Sequence, residues 1–247
     1  MVKSKIEWTD YTLNPIKGMC PVACKNNQGK NYCYARQMYQ RFKWNPKIRF
    51  DWSVANNLSR IKKPSRIFWG STMELFGDWV DPEWMRLILE STKRHPEHTN
   101  IFLTKQPQNL TKWSPFPDNC WVGVSATNRE KFVSACTYLE HIKSKVKFVS
   151  IEPLLDWHDG HGVDIKGYLQ SAEVNWLIVG QCTPISAKTQ PKIEWIQEII
   201  EAADRVGVLV FLKNNLRDFI YGEYGGKYKQ IFKYTQDGRE LRQEYPK

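Results

Sequence analysis

The sequence predicts an α/β fold in which about six to seven parallel strands alternate with helices, as a partial or full (βα) barrel of the TIM type with a C-terminal extension. From residue 66 onward, short apolar runs recur at intervals of about 25 to 35 residues. Each run is apolar on successive residues, which is typical of strands covered on both faces. Segments of helical period lie between the runs, as in parallel βα units joined by right-handed crossovers.

Seven segments have the length and composition of strands. The earliest is the short segment at residues 6–8, which is the predicted first strand. The other six are residues 66–70, 100–104, 120–124, 147–151, 175–180 and 207–212.

Capping residues and periodicity mark the helices. Asp81 is a good N-cap in front of Pro82 at the first helical position, and apolar residues follow at helical spacing. Residues 128–141 and 192–203 each carry one apolar face. A further helix is expected to begin after Cys33.

The chain changes character after Leu212, where tyrosines alternate with glycine and lysine without a clear amphipathic period. We expect residues 1–214 to form the barrel and residues 215–247 to form a Tyr/Lys-rich extension that covers its edge and is not an independent domain. A small hairpin is expected to turn at residues 237–238. Alternatively, the interleaved Tyr and Lys side chains stack on and neutralise a nucleic acid.

Length and composition exclude disorder and fibrous structure, because 247 residues with 41% apolar side chains can bury a core. No apolar run approaches the roughly 20 residues of a membrane span, and the N-terminal segment is charged where a signal peptide is apolar. We therefore expect a cytoplasmic protein without membrane association. The oligomeric state does not follow from these features.

The net charge is +10, from 36 Lys and Arg against 26 Asp and Glu. This surplus favours phosphate-rich or otherwise anionic partners. The cations are spread along the chain, however, with pairs such as Lys62 and Lys63 as the nearest approach to clusters. Charge alone therefore does not identify a nucleic-acid-binding protein.

Three of the six cysteines, Cys20, Cys24 and Cys33, lie within fourteen residues after the predicted first strand. Loops at the carboxyl ends of barrel strands carry the chemistry of such folds. Three thiolates can hold three irons of a four-iron, four-sulfur cluster and leave the fourth iron open. Structural zinc requires four ligands. Because the first histidine is His95, a fourth ligand would have to come from a distant part of the sequence. A cluster, zinc and plain buried thiols all remain open at this point.

The cysteine trio, the aromatic Tyr32 before Cys33 and the βα pattern that follows resemble the radical S-adenosylmethionine superfamily. A branch of it that occurs often in phages and prophages is similar in further short segments. These are residues 6–10 (Ile-Glu-Trp-Thr-Asp), 14–18, 33–35 (Cys-Tyr-Ala), 73–76, 103–105, 123–125, 150–154, 178–180 and 211–213. The resemblance covers residues 5 to about 214.

The resemblance implies that Cys20, Cys24 and Cys33 ligate a 4Fe-4S cluster whose open iron chelates the amino and carboxylate groups of S-adenosylmethionine. One electron from the reduced cluster then cleaves the sulfonium to a 5'-deoxyadenosyl radical, which abstracts hydrogen from the substrate. Implied partners are S-adenosylmethionine, an electron donor such as a flavodoxin or ferredoxin, and a nucleic acid, nucleotide or peptide as substrate. The alternative is a non-catalytic nucleic-acid-binding protein stabilised by zinc or an iron–sulfur cluster.

By position, the resemblance also implies which residues contact S-adenosylmethionine. Tyr32 lies over the cluster or the adenine edge, or else packs in the core. Glu74 receives the methionyl amino group or caps a following helix. Lys105 and Lys213 neutralise the methionyl carboxylate or a substrate phosphate, or form an internal ion pair with Glu152. The remaining expected contacts are Ser71, Thr72, Ser125, Ser150, Glu152 and Gly180.

Two features depart from the superfamily's pattern. The cysteines are separated by three and then eight residues, where three and then two are usual. The inserted residues 25–31 are polar and include glycine, so we expect them to loop out without separating the thiolates. The branch's usual two glycines and a glutamate are replaced at residues 180–183, where Cys182 is either reactive or packed. His158 and His161, two histidines without a third ligand, are expected at the surface.

Overall fold

The structure, a computed structural model, describes residues 3–26, 28–158, 162–224, 231–235 and 238–247. Its strands are β1 (Tyr11–Leu13), β2 (Ile16–Lys17), β3 (Arg49–Phe50), β4 (Arg66–Trp69), β5 (Thr99–Thr104), β6 (Cys120–Ala126), β7 (Val146–Ile151), β8 (Trp176–Val179), β9 (Leu209–Leu212), β10 (Phe232–Thr235) and β11 (Gly238–Leu241). Its α-helices are α1 (Tyr34–Arg41), α2 (Trp52–Ala55), α3 (Pro82–Lys93), α4 (Arg129–Glu140), α5 (Ile165–Ser171), α6 (Ile193–Arg205) and α7 (Arg217–Tyr224). Short 3₁₀ helices occur at Asn56–Arg60, Pro107–Trp113 and Asn214–Leu216.

Seven parallel strands form the main sheet, in the order β1-β4-β5-β6-β7-β8-β9. Each strand therefore pairs with the next sheet strand along the chain, and helices lie between most of them in sequence, as expected for βα units. The prediction of an α/β fold with about seven parallel strands is confirmed. The strand order is open, with β1 and β9 at its two ends, which corresponds to the partial form of the predicted barrel.

All six strands predicted after residue 66 are confirmed. Every residue of β6, β7 and β8 is buried, which explains why these runs are apolar on successive positions.

The predicted first strand at residues 6–8 is wrong, because β1 begins at Tyr11. Residues 6–9 form a turn in which the Thr9 N–H donates to the Ile6 carbonyl at 3.1 Å. Trp8 is nonetheless buried, with its ring 4.9 Å from that of Phe68. Its burial comes from packing onto β4, so an apolar segment of strand composition is satisfied without strand pairing.

The helix signals are confirmed at α3, α4 and α6. The Asp81 carboxylate accepts a hydrogen bond from the Glu83 N–H at 2.8 Å, and the Asn128 side chain accepts one from the Lys131 N–H at 2.9 Å. Helix α1 begins directly after Cys33, as expected.

Helices α5 and α7 were not predicted, and α7 lies in the tail that showed no clear period. The expected hairpin is present as β10 and β11, which pair antiparallel with Thr235 opposite Gly238. Asp237, Tyr228 and His161 lie outside the described residues.

The chain divides into two compact units. The first comprises Met1–Gly123 and Ile142–Lys145, and the second comprises Val124–His141 and Val146–Lys247. The core of the first contains stacked rings of Trp69 and Phe102, whose centroids are 6.3 Å apart. The core of the second contains Trp176, whose ring contacts those of Phe148 and Phe211 at 5.5 and 6.1 Å.

Among the described residues, we find no helix that combines the length and the apolarity needed to cross a bilayer.

Gly70 directly follows β4, and substituting it tests how tightly the turn after this strand is packed. Its φ is +79°, and an added Cβ would lie 2.5 Å from the Leu75 Cγ atom. Gly207 has a similar φ of +71° but open space around it. We expect Gly207→Ala to lower the free energy of unfolding by about 1–2 kcal/mol, from the left-handed conformation alone. Gly70→Ala adds overpacking and should cost about 2–5 kcal/mol. Urea unfolding measures both, and equal losses would contradict the steric argument.

Candidate metal centre

The three clustered cysteines line one cavity in the first unit. The cavity has about 490 Å³ of empty space, is open to solvent and lies at the carboxyl ends of β4 and β5. Its walls are formed by Cys20, Val22, Cys24, Cys33, Ala35, Phe68, Gly70, Ser71, Thr72, Met73, Glu74, Leu103 and Lys105. Of the expected site residues, the cavity therefore collects Cys20, Cys24, Cys33, Ser71, Thr72, Glu74 and Lys105.

The loop between Cys24 and Cys33 closes on itself and keeps the two thiols together. The Tyr32 N–H donates to the Cys24 carbonyl at 3.1 Å, and the backbones of Lys25 and Asn31 form an antiparallel bridge. The Cys24 and Cys33 side chains are hydrogen-bonded to each other. The eight-residue spacing therefore does not separate the thiols, as the composition of the insertion predicted.

Helix α1 fixes the loop that carries Cys20. The Arg36 guanidinium donates to the Cys20 carbonyl at 2.7 Å, and the Tyr39 hydroxyl accepts a hydrogen bond from the Gly18 N–H at 2.8 Å. Gly18 has a φ of +119°, and an added Cβ would lie 2.7 Å from the Ile48 Cα atom. Only glycine allows this close approach of two backbones in front of Cys20.

The pKa values of the two hydrogen-bonded thiols are shifted in opposite directions. The bond from Cys24 lowers the pKa of Cys33 to about 5, against burial, and the same bond raises the pKa of Cys24. Backbone N–H groups of Arg36 and Ala35, at the start of α1, also favour the Cys33 thiolate. The Lys105 ammonium lowers the pKa of both cysteines.

Cys20 differs, because burial raises the pKa of its thiol. The backbone N–H groups of Val22 and Glu74 donate to its sulfur and oppose that effect. N–H donors at cysteine sulfurs are among the features that tune iron–sulfur clusters. Two of the three thiols thus have backbone donors already in place.

The donor set fits an iron–sulfur cluster better than structural zinc. Among the described residues, no group of three or more His, Cys, Asp and Glu side chains forms a site for one metal ion. Cluster thiolates bind different irons and need not converge on one point. A zinc site would need a fourth ligand. Glu74 is the only carboxylate among the described cavity walls, and protein donors already occupy three of its roughly four acceptor positions.

Glu74 is held in place by three donors. Its carboxylate accepts hydrogen bonds from the Thr104 hydroxyl at 2.6 Å, the Lys105 N–H at 2.7 Å and the Phe76 N–H at 3.1 Å. The prediction that it caps a following helix is wrong, since the chain after Glu74 forms turns and α3 begins only at Pro82. Glu74 therefore presents a fixed negative charge, 7% exposed, at the cavity.

Asn14 orders the loop after β4. Its side chain donates to the Ser71 hydroxyl at 3.1 Å and accepts from the Thr72 N–H at 3.1 Å. The Tyr34 hydroxyl donates to the Ser71 carbonyl at 2.7 Å. Tyr32 is half-buried and is not among the described residues that line the cavity.

The other expected contacts belong to the second unit. Ser125 lies in β6 and Ser150 in β7, while the remaining three directly follow the carboxyl ends of β7, β8 and β9. These three are Glu152, Gly180 and Lys213.

Two of these residues, Glu152 and Lys213, contact each other. Glu152 and Lys213 form the internal ion pair that was one of the two alternatives for Lys213. An added Cβ on Gly180 would lie 3.0 Å from Lys213 Cδ and 3.3 Å from Glu152 Cγ. Within the described structure, the Ser150 hydroxyl is buried without a hydrogen-bond partner.

The loop after β8, where residues 180–183 depart from the pattern of the branch, is held by contacts with Asn215. Gln181 is buried, and its carbonyl accepts a hydrogen bond from the Asn215 side chain at 2.8 Å, while its own N–H donates to Asn215 Oδ1 at 3.3 Å. Cys182 is buried, and this burial raises the pKa of its thiol, as the packed alternative requires.

Arg36 and Asn215 were missed from the sequence. A signal for Arg36 exists, because a helix starting after Cys33 brings the residue three positions on close to its first turn. Asn215 lies in the tail, whose composition carries no pattern, and only its tertiary contact reveals its role.

Arg36 provides a test of how the cysteine loop is held. We expect Arg36→Met to lower the free energy of unfolding by about 1–3 kcal/mol, because the Cys20 carbonyl loses its donor. Arg41→Met, on the same helix but exposed, should change it by less than about 0.5 kcal/mol. Urea unfolding of both variants decides the matter, and equal effects would contradict a role for the Arg36 contact.

Known proteins give one family match and several distant structural similarities. Variants of spore photoproduct lyase align with 98% of this chain and 71% of their own, one at 12% identity and TM-score 0.44, and another, with bound AdoMet and dinucleoside spore photoproduct, at 13% and 0.42. Similarities of this size do not identify a shared activity. No curated protein matches the sequence. Residues 3–245 match the family described as "Protein of unknown function (DUF5131)", and the chain belongs to that family.

Proposed function

We propose that the chain is a radical S-adenosylmethionine enzyme in which Cys20, Cys24 and Cys33 hold three irons of a 4Fe-4S cluster. When bound and reduced, such a cluster supplies the electron that cleaves the sulfonium of S-adenosylmethionine to a 5'-deoxyadenosyl radical for hydrogen abstraction. A reductant such as a flavodoxin or ferredoxin is part of this proposal. The phage and prophage branch stays a prediction.

One observation carries the proposal: three half-buried thiols line a single open cavity that also presents a cation and a carboxylate. Thiolates are the ligands that iron–sulfur clusters require. The cavity's polar walls offer complementary groups for a zwitterionic amino acid moiety, which is the part of S-adenosylmethionine that must be chelated and oriented.

The residues of the cavity then have separate tasks. Lys105, half-buried beside the cysteines, neutralises the methionyl carboxylate. Glu74 accepts a hydrogen bond from the methionyl amino group at Oε2, which has one protein donor, whereas Oε1 already has two. Ser71 and Thr72 line the same wall and are proposed as further polar contacts.

For the expected residues of the second unit, contact with S-adenosylmethionine stays a prediction from the resemblance. The buried Ser150 hydroxyl has no hydrogen-bond partner within the described part of the chain. Lys213 is already neutralised by Glu152, so the methionyl carboxylate is assigned to Lys105. Ser125 and Gly180 are the other predicted contacts in this unit, and Tyr32 stays a predicted contact in the first unit.

The cluster is tested by anaerobic reconstitution with iron and sulfide, followed by electron paramagnetic resonance of the reduced protein. We expect a four-iron signal that changes shape when S-adenosylmethionine is added. Each of Cys20→Ala, Cys24→Ala and Cys33→Ala should lose it, because a missing thiolate removes an iron ligand. Cys136→Ala is the matched control and should keep it, since Cys136 is buried in α4. Zinc in place of iron, or a signal indifferent to S-adenosylmethionine, would favour the non-catalytic alternative.

The assignment of Lys105 is tested separately. We expect Lys105→Met to weaken S-adenosylmethionine binding about tenfold or more with unchanged iron content, because a charge-assisted hydrogen bond is lost. Lys105→Arg should recover part of the affinity. Lys112→Met, at an exposed lysine that is not among the described cavity walls, is the control. Titrating the spectral change with S-adenosylmethionine gives the affinities, and a Lys105→Met variant with wild-type affinity would remove Lys105 from the site.

A further inference from the structure

Most of the chain's surplus positive charge comes from one stretch around the cysteines. Between Asp10 and Asp51 the sequence contains no Asp or Glu. The same stretch contains eight cations: Lys17, Lys25, Lys30, Arg36, Arg41, Lys43, Lys47 and Arg49. The cations are spread along the whole chain, but acidic residues are absent from this stretch. This region therefore has a local excess of positive charge that the net charge of +10 understates.

The end of this stretch exposes aromatic rings together with cations. All residues of the 41–47 segment are exposed, and Phe42 and Trp44 expose 53% and 45% of their surface. Their rings are stacked, with centroids 5.5 Å apart and planes at 23°. The Arg41 guanidinium lies 5.4 Å from the centroid of the Phe42 ring. Large aromatic rings that are exposed to solvent and lie next to each other indicate a binding surface.

The 41–47 segment is held in this conformation by its neighbours. The Trp44 N–H donates to the Tyr39 carbonyl at 3.2 Å, and the Trp44 and Tyr39 rings are in edge contact. The Arg49 guanidinium donates to the carbonyls of Asn45 and Lys47 at 3.4 and 3.1 Å. A surface ordered before it binds loses less conformational entropy when it does.

Lys43 adopts an unusual conformation for its residue type. It lies just after α1 with a φ of +52°, at a position where helices commonly place glycine. A lysine here is less favourable than glycine for the backbone. The Lys43 side chain is exposed and does not pack in the core.

The segment is attached to the cysteine loop. The Met19 N–H donates to the Pro46 carbonyl at 3.0 Å, and Gly18 lies against the backbone of Ile48. At the other end of α1, Tyr34 is 51% exposed and its hydroxyl bonds to Ser71, which lines the cavity. Exposed rings thus occur at both ends of α1, the helix that begins directly after Cys33.

We propose that the 41–47 segment and Tyr34 form a binding surface for single-stranded nucleic acid beside the cysteine cavity. Exposed rings stack on unpaired bases of any sequence, and the neighbouring cations neutralise the phosphates. A second copy of the chain is a poorer occupant, because two such basic surfaces repel each other. The claim that the bound strand is the substrate rests on the function proposed above, whereas the binding can be measured apart from it.

The test is fluorescence anisotropy of labelled fifteen-residue oligo(dT) and oligo(rU) with the full-length, reconstituted protein at several salt concentrations. We expect binding that weakens with salt, with a log–log slope of about −0.7 for each phosphate neutralised. The tighter of the two probes shows whether DNA or RNA is preferred. Unlabelled duplex of the same length should compete poorly, because its bases are not free to stack.

Variants separate stacking, charge and folding. Phe42→Ala combined with Trp44→Ala should weaken binding about tenfold or more, whereas Ile185→Ala, which removes an equally exposed apolar side chain elsewhere, should not. Lys43→Gly should reduce the salt slope by about 0.7 without lowering the urea midpoint, because glycine suits the left-handed conformation. This variant distinguishes lost binding from lost folding.

Three outcomes would overturn the proposal. They are an absence of binding to either oligonucleotide, equal competition by duplex, and wild-type affinity in the Phe42→Ala and Trp44→Ala double variant. Cys24→Ala is expected to lose the cluster signal but to bind the oligonucleotide normally. A failure of the cluster and a failure of the nucleic-acid surface are therefore recognised independently.

Discussion

Parallel pairing of buried strands is the constraint on which the site depends. Because β4 and β5 run in the same direction, the residues that follow them, Gly70 and Lys105, emerge at the same edge of the sheet. The cavity is built from these ends and from the cysteine loop. The register of this pair places Ile67 opposite Asn100 and Trp69 opposite Phe102.

The conformation of the cysteine loop is held mainly by hydrogen bonds to its backbone and its sulfurs. The Arg36 guanidinium, the N–H groups at the start of α1 and the closed turn between Cys24 and Cys33 all act on carbonyls, N–H groups or sulfurs of the loop. Such contacts orient three thiols before any metal binds. This preorganisation is what a cluster site needs, because ligand positions must be set by the protein.

The proposed enzyme chemistry and the proposed nucleic-acid surface use the same short helix. Helix α1 presents Cys33 at one end and the 41–47 segment at the other. Charge supports the combination, since the acid-free stretch between Asp10 and Asp51 surrounds both. Long-range attraction of an anionic strand would then deliver it close to the thiols.

The sequence alone determined the α/β class, six of the seven sheet strands, the capped helices and the clustering of the cysteines, because buried strands and caps are encoded locally. It misplaced the first strand, since Trp8 is buried by packing and not by pairing. Only the tertiary structure decided that Glu74 is locked by Thr104 and Lys105, and that Glu152 pairs with Lys213. Those partners are distant in sequence, and no local pattern specifies which polar groups meet when strand ends converge.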